Sequence, residues 1–146
     1  MDIVIRNVDV LDGTGSPAYR ADIGLQEAAI AAIGEVAGAG ALATIDGAGL
    51  TAAPGFIDMH SHSDWLMARP DHSEAMKSLV RQGITTIIGG NCGFSPAPLT
   101  QLSTDYLSQK DVNLLSDRPL DYAWTGMRQF LSRVEEAGPL VNLAQL

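Results

Sequence analysis

Residues 71–93 read DHSEAMKSLVRQGITTIIGGNCG, and this stretch decides the fold. Asp71 and Glu74 stand three apart, the spacing of a helix capping box. Behind them Ala75, Met76, Leu79 and Val80 fall on one helical face, and Gly83 stands where a helix C-cap belongs. The spacing predicts a helix over roughly 72–82. Residues 84–88, ITTII, are β-branched throughout, which suits a buried parallel strand. Upstream, Pro54-Gly55 is a turn signal, and residues 56–59 are a short strand candidate. Downstream comes the glycine-rich loop GGNCGFSPAP, residues 89–98. Met127, Phe130, Leu131 and Val134 then mark a second amphipathic helix, stopped by Gly138-Pro139. Residues 140–146 open another apolar strand. Strand, helix, strand, helix, strand is the order of a parallel α/β architecture. A closed (β/α)8 barrel takes about 250 residues, so the pattern predicts the start of a larger sheet.

The first third of the chain has a different rhythm. Residues 3–11, IVIRNVDVL, read as a strand, and residues 12–17, DGTGSP, are a dense turn signal. Residues 23–25 and 30–33 are further strand candidates. Alanine-rich residues 25–36 have the propensity of a helix, yet the stretch is read as strand, turn, strand. The Ala/Gly-rich residues 37–43 read as a loop, and residues 50–53 lead into Pro54-Gly55.

Bulk properties narrow the function. The formal net charge is −8, and the nine lysines and arginines are scattered. A nucleic-acid surface needs a clustered basic footprint, so none is expected. No apolar run reaches the roughly 18 residues of a membrane span, and the N-terminus shows no secretory signal. Cys92 is the one cysteine. It cannot form an intrachain disulfide, which fits a cytoplasmic location.

His60 and His62 carry the chemistry. Residues two apart in a strand point to the same side. A His-x-His pair at a strand end therefore aims two imidazoles into one space, a spacing that suits Zn2+ or a similar borderline metal. The C-terminal ends of strands are where α/β folds place their active sites. Cys92 lies just beyond the next strand, at the same end. Strands lie about 4.8 Å apart, and a βαβ crossover brings Cys92 to the histidines' face. Each feature has a plainer reading. A lone cysteine is usually a small buried hydrophobe. Asp58 and Asp64 read as ordinary surface or turn carboxylates, His72 as solvated, and Met59, Met67 and Met76 as packing residues.

The segment PGFIDMHSHSD, residues 54–64, resembles the metal-binding signature of the amidohydrolase superfamily. GITTIIGGNCGFSPAP, residues 83–98, looks like the segment that marks its N-acyl-D-amino-acid deacylase branch. The opening, with DGTGSP and RADIG, and residues 124–142 are similar to that branch too. The resemblance implies that residues 1–54 are the N-terminal part of a small β-sandwich domain. Residues 55–146 would then be the first βα units of an incomplete (β/α)8 barrel. It implies Cys92 as a tight-site Zn2+ ligand and His60 and His62 as part of a second, weaker metal site. It also implies hydrolysis of N-acylated D-amino acids, with an aspartate from a later strand handling the proton. Where the family has a turn such as Asp-Gly-Arg, this chain reads Gln26-Glu27-Ala28-Ala29. The family's later histidines and its aspartate have no counterpart, so no catalytic residue is named. The chain is read as a fragment that is inactive alone.

Two other readings stand beside this one. A cyclic amidohydrolase, such as a dihydroorotase or hydantoinase, is the first, although a cysteine ligand is not that branch's usual pattern. The second is a non-catalytic, truncated fragment whose open strand edges lead it to self-associate.

Overall fold

The structure, a computed structural model, describes residues 1–37, 40–109, 116 and 119–146. It is a mixed α/β chain in two compact units, Met1–Pro54 and Gly55–Leu146. The loop expected over residues 37–43 lies partly outside the described residues, at 38 and 39.

Unit 1 is built from β1 (Ile3–Val10), β2 (Tyr19–Gln26), β3 (Ala29–Gly34), β4 (Ala43–Asp46) and β5 (Thr51–Ala52). The sheet runs β3-β2-β1-β4, and β5 also pairs with β1. β1–β2 and β2–β3 are antiparallel, while β1 pairs in parallel with β4 and β5. Alternation along β1 and β2 sends Val8, Val10 and Ile23 into a small core, with Ile5, Ala21, Leu25 and Ala52 packed against it. The alanine-rich segment is a hairpin and not a helix, because pairing with β2 outweighs local propensity.

Two irregularities in this unit are held by carboxylates. The β1–β2 register shifts between Ile5 and Val8, and Asn7 there has φ 55°. Asp22 takes the Asn7 N–H at 3.0 Å and pairs with Arg6. Those contacts, the Asn7 hydrogen bond first and Arg6 next, hold its carboxyl below the usual range. At the two-residue turn after β2, Glu27 has φ 53° and donates its N–H to Asp2 at 2.5 Å. Glycine is favoured at the first position of such a turn, since a side chain costs about 1–2 kcal/mol in the left-handed region. Glu27→Gly is therefore expected to stabilise unit 1 by about 0.5–1 kcal/mol, after glycine's own entropy cost. Urea unfolding followed by circular dichroism checks this, and a lower midpoint would count against it.

Unit 2 holds β6 (Phe56–Asp58), α1 (Asp64–Met67), α2 (His72–Val80), β7 (Ile84–Gly89), α3 (Gln101–Leu107), α4 (Met127–Ala137) and β8 (Asn142–Gln145). Its sheet is β6-β7-β8, parallel throughout. Asp58 pairs with Ile87, and Gly89 with Gln145, so the C-terminal ends of the three strands lie together. Gly55 makes the first approach feasible. A Cβ there would come within 2.1–2.7 Å of Thr85 side-chain atoms.

Helices α1, α2 and α4 bury apolar faces against one core, to which α3 adds only Leu107. Phe130 and Val134, one turn apart on α4, join Trp65, Met67, Met76, Ile87, Trp124 and Val141. Gln129 Oε1 reaches back to accept the N–H groups of Thr125 and Gly126, and Gly138, at φ 70°, ends the helix. On α2 the inward stripe is His72, Met76 and half-buried Leu79, whereas Ala75 and Val80 face outward. The capping box expected at its start does not form. Arg69 takes the Asp71 carboxylate instead, at 2.9 and 2.8 Å. His72, read as solvated, is buried, with Nδ1 2.8 Å from the Arg69 carbonyl oxygen. Met67 and Met76 do pack inside, but Met59 is 68% exposed, as are Phe56 at 64% and Ile57 at 57%. β6 is thus an edge strand with a bare face. No helix of the described residues is long and apolar enough to cross a membrane.

Candidate metal centre

His60 and His62 leave the C-terminal end of β6, as their spacing predicts. Asp58 Oδ1 accepts the His60 backbone N–H at 3.1 Å and so fixes the bend where the strand ends. Ser61, between the histidines, is buried, and its N–H donates to the Ile88 carbonyl at 3.1 Å. That bond ties the His-x-His segment to β7. The imidazole rings meet edge to face, with centroids 5.6 Å apart, and the Phe94 ring packs at right angles to that of His62 with centroids 6.0 Å apart.

Cys92 follows β7 in a tight turn. Gly90 and Gly93 have φ 80° and 74°, and Cys92 itself has φ 58°, an unusual value for a side-chain-bearing residue. Asn91 Nδ2 donates to the Ile88 carbonyl at 2.7 Å and closes the turn. Beyond it the chain is pinned by two indoles: Trp65 Nε1 donates to the Phe94 carbonyl at 2.8 Å, and Trp124 Nε1 to that of Pro96 at 2.7 Å. The loop is therefore anchored on both sides of Cys92, and the thiol stays exposed.

The result is convergence. Cys92 Sγ lies 3.2 Å from His60 Nε2, and one ligating atom from each of His60, His62 and Cys92 lies within 4.8 Å of the others. Two imidazoles and a thiol are borderline-soft donors, the chemistry that zinc prefers. Zinc bond lengths put neighbouring tetrahedral ligands about 3.5 Å apart, and the His60–Cys92 separation is close to that. His62 Nδ1 is buried and has no hydrogen-bond partner, which leaves it a lone pair or a proton to place. The residues present therefore fit a metal ion, with His60 and Cys92 able to share one.

Asp64 was legible in the sequence only as a turn carboxylate. It is fully buried at the start of α1. Its Oδ2 accepts the Gly90 N–H at 2.8 Å and Gln145 Nε2 at 2.9 Å. Burial pushes its carboxyl above the ordinary range, and those hydrogen bonds oppose the shift only in part. Gln145, at the end of β8, also escaped the sequence reading. Its one visible signal is a polar residue inside an apolar strand.

Histidines and a thiol at the C-terminal ends of parallel strands place the chain among α/β proteins with a candidate metal centre. Comparison with known proteins narrows the class. No protein-family model matches the chain. N-acyl-D-glutamate deacylase from Alcaligenes xylosoxydans xylosoxydans is 38% identical over 148 residues, covering the whole of this chain and 28% of that protein. D-aminoacylase from the same organism is 43% identical over 99 residues, covering 67% of this chain and 20% of that one. The crystal structure of N-acyl-D-glutamate deacylase from Bordetella bronchiseptica, complexed with zinc and a phosphonate inhibitor, is 34% identical. It superposes with a TM-score of 0.80, over 99% of this chain and 29% of that one. Over its whole length the chain is similar to these deacylases, and to a D-aminoacylase whose crystal structure defines a subset of amidohydrolases. It spans about 28% of the length of the deacylase it matches from end to end.

Proposed function

We propose that this chain carries part of the metal centre of a zinc-dependent hydrolase that deacylates N-acyl-D-amino acids. In this reading His60, His62 and Cys92 are metal ligands. Residues 55–146 are the opening βα units of a (β/α)8 barrel, and residues 1–54 are part of a small β-sandwich. One observation carries the reading: the two imidazoles and the thiol converge at the strand ends of a chain that matches N-acyl-D-glutamate deacylase from end to end. The zinc complex of the related Bordetella bronchiseptica enzyme supports the choice of metal.

Zinc in such a centre supplies a Lewis acid for an amide carbonyl and makes water a better nucleophile at neutral pH. The chain's own residues do the holding. Asp58 and Ser61 fix the backbone on either side of His60, so both imidazoles face one space. The turn at 90–93 presents the thiol, and the Trp65 and Trp124 indoles stop the following loop from drifting. Among the described residues no carboxylate joins the cluster. Proton handling is therefore assigned to no residue of this chain.

Three experiments test the reading. The purified chain should bind one or more equivalents of Co2+, used as a spectroscopic stand-in for zinc, and a chain that takes up none would overturn the metal centre. The same 146 residues should show no turnover of N-acetyl-D-glutamate or other N-acyl-D-amino acids, because three donors without a proton shuttle do not complete the chemistry. Activity that persists after rigorous removal of host enzymes would overturn that expectation. A protein of the relatives' length that contains this chain should release the free D-amino acid.

A further inference from the structure

A carboxylate with no cationic partner is an expensive group to bury, costing several kcal/mol even after relaxation. Asp64 is such a group. Its side chain is fully buried, and among the described residues no lysine or arginine pairs with it. Its Oδ1 is buried and has no hydrogen-bond partner. Its Oδ2 does all the bonding, to Gly90 N and Gln145 Nε2. Asp64 follows β6 by six residues, Gly90 directly follows β7, and Gln145 ends β8. A single carboxylate oxygen thus links the ends of three parallel strands, at the end where His60, His62 and Cys92 stand. The fit against β7 is close: a Cβ on Gly89 would lie 2.4 Å from Asp64 Oδ2 and 2.6 Å from its Cβ.

What this bridge holds is the turn that presents Cys92. Gly90, Cys92 and Gly93 all have left-handed φ, which glycine adopts freely but a residue with a side chain, here Cys92, keeps only when its surroundings impose it. Gly90 is the first residue of that turn, and its N–H is the group that Asp64 fixes. The other side-chain tie, from Asn91 Nδ2, goes chiefly to the Ile88 carbonyl at 2.7 Å and reaches the Ser61 carbonyl only at 3.5 Å. Asp64, two residues beyond His62, makes the shortest direct hydrogen bond between that turn and the segment carrying the two histidines, at 2.8 Å.

We propose that Asp64 is a positioning residue of the metal centre, bridging Gly90 and Gln145 so that the Cys92 sulfur is held against His60. The proposal rests on His60, His62 and Cys92 being metal ligands, and its test separates the two ideas. Co2+ is titrated into the full 146-residue chain and into Asp64→Leu, Gly89→Ala and Asp64→Asn, with folding checked by circular dichroism. Cys92 is the only cysteine, so the thiolate-to-cobalt charge-transfer band reports on it alone. Asp64→Leu removes both hydrogen bonds, and Gly89→Ala displaces the carboxylate without changing it. Both should weaken cobalt binding on the order of 10–100-fold and reduce the band per bound ion at saturation. The amide oxygen of Asp64→Asn can accept both hydrogen bonds, so that variant should stay within about threefold of the parent chain.

A group that merely adds stability would lower the melting temperature and leave the band at saturation unchanged. That outcome in folded Asp64→Leu would overturn the proposal. So would an Asp64→Asn chain as impaired as Asp64→Leu, for then charge and not the bridge is what counts. Should Asp64→Leu fail to fold, folded Gly89→Ala decides: normal affinity and a normal band overturn the positioning role, and their loss supports it. A parent chain that takes up no cobalt refutes the metal centre itself, a result distinct from all of these.

Discussion

Trp65→Ala is expected to cost unit 2 about 3–5 kcal/mol, the range for removing a buried tryptophan from a packed core. Trp65 is 1% exposed and belongs to the main core cluster, where its ring meets Tyr122 edge to face. Two effects are lost together. The cavity is the larger one, since the hydrogen bond from Nε1 to the Phe94 carbonyl has a net worth of only about 0.5–1.5 kcal/mol. Trp65→Phe separates them, because it keeps most of the volume and loses the N–H. It should cost well under half as much as the alanine, yet still loosen the segment after Cys92. Urea denaturation gives the energies, and the rate at which a thiol reagent modifies Cys92 reports on the loop. A loss below about 1 kcal/mol for Trp65→Ala would show that unit 2 is not packed around this side chain.

Cys92→Ala and His60→Ala should each weaken zinc or cobalt binding by more than the 10–100-fold typical of losing an outer-shell partner. Each removes one of the three candidate donors of the cluster. The two differ in their spectra. Cys92→Ala should abolish the thiolate-to-cobalt band completely, whereas His60→Ala should leave a weaker band at higher metal concentration. Isothermal titration with zinc checks the affinities independently. Cobalt affinity unchanged in Cys92→Ala would remove the thiol from the site and return Cys92 to an ordinary surface cysteine.

Much of the fold was legible because its signals are local. The β-branched run at 84–88 became β7, and the stop at Gly138-Pro139 became the end of α4. His60, His62 and Cys92 could be placed at one end of the sheet because crossover topology is fixed by backbone geometry, although the two histidines lie in the bend after β6 and not in the strand whose period was expected to align them. What stayed hidden depended on neighbours far along the chain. α3 carries no apolar stripe: Leu102 and Tyr106 are 81% and 60% exposed, and the helix starts on a Thr100–Ser103 capping box. Asp64 looks like any turn carboxylate until Gly90 and Gln145, 26 and 81 residues away, close over it. His72 was misread for a different reason. Its acidic neighbour suggested water, but its spacing of four and seven from Met76 and Leu79 already put it on the buried stripe of α2.

The left-handed backbone at Cys92 sets stability against chemistry. A side chain there costs about 1–2 kcal/mol that glycine would not. Variants of this chain chosen for surviving heat would drift toward glycine at position 92, and the survivors would have lost their only thiol. Heat resistance is therefore a poor criterion for improving this protein, because the selection would favour molecules emptied of the group that its proposed chemistry needs.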